Sequence, residues 1–194
     1  MSIRYHRVTV LFHWGLGLAL VAQLCFGVSL DDIAPRGTPA RAAVINLHKS
    51  YGIVLLALIV ARLAWRLTHA APPWPLALPA WQRRAAAWTH RALYACMLVS
   101  PLSGWTASNF SSHGVKFFGV ALPPLGPDRP DVYAAFNTLH VACGWIFIAL
   151  LVLHVAAALK HQWLDRDDLL SRMSWRRPAP ERPATGLQAA KESR

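Results

Sequence analysis

Hydrophobic residues fall into four long runs, separated by short segments rich in proline, glycine, arginine and aspartate. Each run is long enough for a membrane-spanning helix, which needs about 20 predominantly apolar residues. The pattern predicts spans over residues 8–30, 43–65, 85–108 and 133–159. Pro101 lies inside the third run and predicts a kink there. The expected fold is an all-α membrane protein, a bundle of four transmembrane helices.

Lysine and arginine predict the orientation of these spans, because they are concentrated in cytoplasmic loops. They are abundant before the first span, between the second and third, and directly after the fourth. Both termini are therefore expected in the cytoplasm. A formal net charge of +11 is also found in nucleic-acid-binding proteins, but the apolar runs favour membrane topology, and we predict no nucleic-acid partner. Residues 1–177 form the expected membrane domain, and residues 178–194 a disordered cytoplasmic tail.

Four histidines lie within the predicted spans, where an imidazole is costly and usually functional. His140 and His154 both lie in the fourth span, and their spacing turns a helix by roughly 1400° and advances it by roughly 21 Å. They are therefore expected to face nearly the same way at two depths. The predicted orientation places His13 at the depth of His154, and His48 at the depth of His140. The pattern predicts two stacked sites that share the fourth helix.

Two opposed imidazoles are suitable axial ligands for a low-spin haem b, and antiparallel helices can supply them. A flat ring also needs clearance beside each ligand. Each histidine is followed four residues later, on the same helix face, by a small residue: Gly17, Gly52, Gly144 and Ala158. The three cysteines occur singly, which argues against iron–sulfur clusters and covalently attached haem. We predict two haem b groups with these axial pairs: His13 with His154, and His48 with His140.

Alternative interpretations stay open for the metal and its ligands. His90 begins the third span at the depth of His154 and competes with His13, although Tyr94, four residues on, is bulky. Zinc is another candidate metal, but it prefers three or four ligands that converge at one depth. A metal-cation transporter that uses intramembrane histidines is a different function, which the scarcity of acidic residues within the spans disfavours.

Further polar residues near the span ends are candidates for binding. Basic residues there can pair with haem propionates or steer an anion, with topology as the alternative explanation: Lys49, Arg62, Arg66, Arg91, Lys116 and Lys160. His161 lies two helical turns beyond His154, at the predicted cytoplasmic boundary. Its imidazole is a candidate hydrogen-bond donor and proton relay for a quinone, and a solvated interfacial histidine is the alternative.

Several short segments carry a resemblance to a known family: His13-Trp14, Leu47-His48-Lys49-Ser50-Tyr51-Gly52, Arg62-Leu63, Phe117-Phe118-Gly119 before Leu122-Pro123, Leu139-His140, and the run from Leu153 to His161. Through them, residues 3–177 resemble the bacterial cytochrome b561 family. These are dihaem four-helix proteins related to the cytochrome b subunits of nickel–iron hydrogenases and formate dehydrogenases.

The resemblance implies a function as well as a fold. It implies two b-type haems in the bacterial inner membrane and electron exchange with ubiquinone. One type of relative oxidises superoxide at the outer face and reduces quinone near the cytoplasmic face, where His161 matches the quinone-side histidine. The expected activity is that of a superoxide:ubiquinone oxidoreductase. The alternative is a cytochrome b membrane anchor of a dehydrogenase or hydrogenase, which receives electrons from a redox partner protein.

Overall fold

The computed structural model describes residues 4–74, 78–167 and 169–175. In chain order the elements are helix α1 (Arg7–Val28), the short helix α2 (Leu30–Ile33), helices α3 (Arg41–Thr68) and α4 (Ala80–Asn109), strands β1 (Lys116–Phe117) and β2 (Val120–Ala121), and helix α5 (Pro130–Lys160). A π-helical turn, His161–Asp165, continues α5, and a short 3₁₀ helix covers Leu170–Met173. The predicted tail, residues 178–194, lies outside the described residues.

The four long helices coincide with the four predicted spans. Among the described residues, three helices are long and apolar enough to cross a membrane: α1, α3, and α5 with its π turn. Helix α4 has 30 residues, a length of about 45 Å, but its first half carries Arg83, Arg84 and Arg91. The helix is therefore confirmed at this position, while its passage through the membrane stays a prediction.

Helix α5 packs along α4, α1 packs along α3, and α3 also contacts α4. Side chains from all four long helices meet in one central apolar cluster: Leu16, Leu55, Ile59, Leu93, Cys96, Met97, Cys143 and Phe147. The outward faces of the same helices expose large apolar side chains such as Leu18, Val60 and Val152. A soluble monomer avoids such an extended apolar surface, whereas lipid accommodates it.

Local sequence explains where two of the long helices begin. The ring of His6 accepts a hydrogen bond from the backbone N–H of Val8 and caps the start of α1. Helix α5 begins at Pro130, whose fixed φ suits the first helical position. Asp131 follows in the first turn, where a carboxylate interacts favourably with the helix dipole, and it pairs with Arg129 at 2.7 Å.

The segment between α4 and α5 contains a small β-hairpin that hydrophobic patterning assigns to a loop. Strands β1 and β2 pair antiparallel, with Lys116 opposite Ala121. The turn residues Phe118 and Gly119 have φ values of 46° and 91°, the positive values that a type I′ turn requires. Two-residue strands are too short to leave an alternating pattern, so the sequence does not reveal them.

Candidate functional site

The structure brings together both histidine pairs that depth predicts. The ring centroids of His13 and His154 are 6.2 Å apart, and those of His48 and His140 are 6.1 Å apart. We call the first the proximal pair, because it lies at the end of the bundle that is nearer the chain termini, at the start of α1 and the end of α5. The second, at the other end of the bundle, is the distal pair. Both pairs use the packed face of α5, since Phe147 between them is buried, whereas neighbouring residues such as Val141, Leu153 and Val155 are exposed.

The spacing within each pair suits a metal ion held between two imidazoles. A metal–nitrogen bond is about 2.0 Å long and the ring centre lies about 1.1 Å further on, so two opposed axial imidazoles have centroids about 6.2 Å apart. The observed separations of 6.2 Å and 6.1 Å agree with this geometry. Direct packing of the two rings does not require this spacing at both levels.

A cavity of about 1050 Å³ lies at the distal end and includes both histidines of the distal pair in its lining. Its volume is at the upper end of the range of roughly 300–1,000 Å³ that is usual for ligand and cofactor sites. A Cβ atom added to Gly144 would meet nothing within 4 Å, and one added to Gly52 would meet only Gln23 Nε2, at 3.7 Å. Gly17, one turn from His13, also borders open space. These residues fit a large flat cofactor.

Two further glycines contact the distal pair and were missed by the sequence analysis. A Cβ atom at Gly104 of α4 would come within 2.8 Å of His140 Nδ1, and one at Gly27 of α1 within 3.1 Å of His48 Cε1. Each glycine therefore gives an imidazole room on a neighbouring helix. The predicted clearance rests only on small residues of the histidine's own helix. A search for glycines at matching depth in the other spans would have found them.

Hydrogen bonds orient the distal imidazoles. His140 Nδ1 lies 2.7 Å from the Ser100 carbonyl oxygen, so its N–H can donate there and leave Nε2 to bind a metal. Gln23 reaches from α1 to α3, where its Nε2 donates to the His48 carbonyl at 2.8 Å and contacts His48 Nδ1 at 3.2 Å. Neither partner was identified from the sequence, because a buried amide or carbonyl leaves no spacing pattern.

His90 lies beside the proximal pair, with its ring centroid 5.3 Å from that of His154. This separation is shorter than the spacing of about 6.2 Å that a metal between opposed imidazoles needs, so the geometry favours His13 as the axial partner of His154. In the described parts of the chain, one group of three side chains of metal-binding types has its ligand atoms within 4.8 Å of one another: His161, Asp165 and Asp167. The three proximal histidines do not converge in the way that zinc requires.

The candidate anion-binding residues divide between the two ends of the bundle. At the distal end, Lys49 and Lys116 line the cavity, and Lys49 Nζ donates to the Gly114 carbonyl at 2.8 Å. At the proximal end, Arg62 Nε donates to the Tyr94 hydroxyl at 3.3 Å.

The other three candidate cations contact groups outside the histidine pairs. Arg66 donates to the His69 carbonyl at 3.1 Å. The guanidinium of Arg91 lies over the Trp88 ring, 4.9 Å from its centroid. Lys160 Nζ pairs with Asp165 Oδ2 at 2.5 Å. These three cations therefore each have a partner within the protein, a carbonyl, an aromatic ring or a carboxylate, and do not need a haem propionate as a partner.

His161, the candidate quinone ligand, is held by two carboxylates. Its Nδ1 is 2.6 Å from Asp167 Oδ2 and 3.2 Å from Asp165 Oδ2. Neither aspartate was predicted from the sequence. Asp165 has a sequence signal, because residues four apart share a helix face, whereas Asp167 reaches the ring through the π turn and the residue after it, which have no recognisable signal. Since Nδ1 is engaged, Nε2 is the nitrogen left to exchange a proton with a ligand.

Comparisons with known proteins identify the family of the chain. A family model described as prokaryotic cytochrome b561 matches residues 4–176. The chain is 31% identical over 174 residues to Cytochrome b561 homolog 2 of Escherichia coli (strain K12), covering 88% of this chain and 90% of the relative. It is 28% identical over 174 residues to Cytochrome b561 homolog 1 of the same organism, covering 90% and 98%. It is 25% identical over 173 residues to the Probable superoxide oxidase CybB of Yersinia pestis, covering 89% and 97%.

Proposed function

The chain belongs to the prokaryotic cytochrome b561 family, and from this membership we propose that it carries single electrons across the bacterial inner membrane between two haem b sites and a quinone. Family membership itself makes it a membrane electron-transfer protein that binds haem b. The observation that carries the finer proposal is the pairing of four histidines at two levels, with centroid separations of 6.2 Å and 6.1 Å.

Each histidine pair holds one haem in this proposal, which supplies a reversible one-electron couple when bound. The histidine nitrogens of each pair would hold the group, and open space beside Gly17, Gly52 and Gly144 would accommodate it. The Ser100 carbonyl orients His140, and Gln23 holds His48. Because His140 and His154 are separated by roughly 21 Å along α5, the two sites lie towards opposite faces of the membrane. If both termini lie in the cytoplasm, as the lysine and arginine distribution predicts, the distal pair lies at the outer face.

For the specific reaction we propose superoxide:ubiquinone oxidoreductase activity. One relative is named as a probable superoxide oxidase. Four cations border the distal cavity of this chain: Arg36, Arg41, Lys49 and Lys116. Both arginines pair with the same carboxylate, Asp31, so the group keeps a net positive charge. Such a cluster attracts an anionic electron donor. Two superoxide anions yield two molecules of oxygen and two electrons, and these electrons with two protons reduce one quinone to quinol. At the proximal end, His161 hydrogen-bonds a quinone oxygen and exchanges one of the protons.

The proposal is tested on the full chain purified in detergent. Reduced-minus-oxidised spectra and a pyridine haemochrome assay are expected to give two haem b per chain, and superoxide is expected to drive reduction of a ubiquinone analogue. A chain without haem would overturn the electron-transfer function, and one haem per chain would overturn the double site. A stoichiometric protein partner that survives gentle purification, together with no response to superoxide, would favour the membrane-anchor alternative.

A further inference from the structure

The segment that ends α5 leaves regular helix at two successive points. Residues His161–Asp165 form a π-helical turn, and Arg166 follows in the left-handed region with φ of 52°. π turns are rare and are frequently found at functional sites, and a left-handed backbone is unfavourable for arginine. The segment persists in this geometry, so other interactions must hold it.

The consequence of this geometry is that Asp167 returns to the ring of His161. The backbone N–H groups of Arg166 and Asp167 both point to the His161 carbonyl oxygen, the second at 3.3 Å. The chain therefore reverses within two residues after the π turn, and Asp167 Oδ2 comes to 2.6 Å from His161 Nδ1. A regular helix would place residues six positions apart on different faces.

Asp167 is fixed through both of its carboxylate oxygens. While Oδ2 contacts His161, Oδ1 accepts the backbone N–H of Leu169 at 3.3 Å. The side chains of His161 and Asp167 are only 18% and 27% exposed, so water competes weakly for their hydrogen bond. A hydrogen bond to an ionised partner in such a place is short and strong. This carboxylate therefore has one orientation relative to the imidazole.

Asp165 differs from Asp167 although both contact the same nitrogen. Asp165 Oδ2 is further from His161 Nδ1, at 3.2 Å, and the same oxygen pairs with Lys160 Nζ at 2.5 Å. Its charge is thus compensated by a neighbouring cation. The two aspartates can be compared directly, since they carry the same side chain, lie two residues apart and differ in their distance from His161 Nδ1.

We propose that Asp167 is a positioning residue that keeps a proton on Nδ1 of His161, so that Nε2 is the nitrogen that delivers a proton to the quinone. The inference rests on the proposed function, in which a quinone reacts at the proximal end. A carboxylate that binds Nδ1–H holds the imidazole in one tautomer and stabilises the imidazolium form. One quinone takes two electrons and two protons to become quinol. His161 donates one of these protons from Nε2 to the nearer quinone oxygen and regains it from water.

The test compares Asp167→Asn with Asp32→Asn, which removes an exposed carboxylate of α2 at the other end of the bundle, in the full haem-loaded protein with a water-soluble ubiquinone analogue. Asp167→Asn is expected to lower kcat about 10-fold or more, up to the roughly 10²–10⁴-fold that general acid–base catalysis contributes, and to leave KM and haem content unchanged. Asp32→Asn is expected to leave kcat unchanged, and Asp165→Asn to lower it less than Asp167→Asn does, because Asp165 is further from the ring and pairs with Lys160. Asp167→Glu, which keeps the charge, is expected to recover part of the rate.

A second comparison separates positioning from a purely structural role. His161→Gln removes the proton carrier, and the double variant with Asp167→Asn is expected to be no slower than His161→Gln alone, because residues that act as one unit are not additive. If Asp167→Asn keeps the full kcat, or if the two losses multiply in the double variant, the role of Asp167 is overturned while the proposed function stands. A wild-type protein that holds its haems but does not exchange electrons with ubiquinone would overturn the proposed function and this inference with it.

Discussion

At the scale of single residues, the three proximal histidines are unequally spaced. His13 and His90 both contact His154, but only the His13 ring stands at the 6.2 Å spacing that an intervening metal needs. We therefore expect His13→Ala to lower the haem content from two per chain to one. His90→Ala is the matched control, since it removes an imidazole from the same cluster, and we expect it to keep two haems. The pyridine haemochrome assay measures both, and the reverse pattern would assign the axial role to His90.

Gly104 is a second residue whose effect follows from geometry. A methyl group at this position would lie 2.8 Å from His140 Nδ1, so Gly104→Ala must displace the ring from its hydrogen bond to Ser100. Loss of such an orienting partner weakens metal binding about 10–100-fold. We expect the distal haem to be bound weakly while the proximal haem stays, as measured by haem titration.

Gly15→Ala provides the control for this substitution. A Cβ atom at Gly15 would meet nothing within 4 Å, and alanine stabilises a helix relative to glycine by about 1 kcal/mol. We expect this variant to keep both haems with unchanged affinity. Equal haem affinities in Gly104→Ala and the wild-type protein would show that His140 does not need its present orientation.

At the scale of elements, the buried hydroxyl of Ser50 is one of the contacts that attach the β-hairpin to α3. Ser50 is 0% exposed, and its Oγ accepts the Phe118 N–H at 2.9 Å while it donates to the Asn46 carbonyl at 2.7 Å. The turn at Phe118 has an unfavourable left-handed backbone, and the ring packs on Tyr51 with centroids 5.5 Å apart. The hydroxyl therefore helps to hold the hairpin beside the distal cavity.

We expect Ser50→Ala to lower the stability of the distal end by about 1 kcal/mol, the net contribution of one hydrogen bond. For a chain of this size that corresponds to a fall in Tm of about 2–4 °C, measured by the thermal loss of haem absorbance. Ser112→Ala is the control, because Ser112 is exposed in the same loop and its loss should leave Tm unchanged. An equal Tm for the two variants would argue against an attachment through Ser50.

The same elements show what the sequence can and cannot reveal. Apolar runs predict long helices well, because burial and lipid contact act on every turn, and the spacing of His140 and His154 within one such helix determines their shared face. The hairpin and the π turn depend on individual contacts, of Ser50 with Phe118 and of His161 with Asp167, that leave no periodic signal in the sequence. Hydrophobic periodicity reveals features that repeat along the chain, so it does not predict single tertiary contacts.

At the scale of the whole molecule, polar side chains are concentrated at two levels with an apolar layer between them. Phe147 lies seven residues from His140 and from His154 and is buried in the central cluster. The layer separates the distal end, which has the large cavity and its cations, from the proximal end, which has His161 and its carboxylates. Electron entry and proton-coupled exit are therefore proposed at opposite ends of one bundle.

This separation leads to an expectation about charge. Lys116 lines the distal cavity and its side chain is exposed, so Lys116→Gln removes one of the positive charges that an incoming anion meets. Electrostatic steering changes association rates by about 10–1,000-fold in total, and the loss of one charge among several should lower the second-order rate with superoxide about two- to fivefold. The effect should shrink as ionic strength rises, since salt screens exposed charges.

Arg91→Gln tests whether the position of the charge or the net charge of the protein matters. Arg91 lies in the first half of α4, packed on Trp88, and the proposed topology places it at the cytoplasmic side. The variant changes net charge by the same amount as Lys116→Gln but leaves the distal cavity intact. Stopped-flow rates with superoxide at low and high salt distinguish the two explanations. Steering by the distal cavity requires a salt-sensitive loss of the rate with superoxide in Lys116→Gln and no loss in Arg91→Gln. Equal losses in both variants would show that the net charge of the protein, and not the position of the charge, sets the rate.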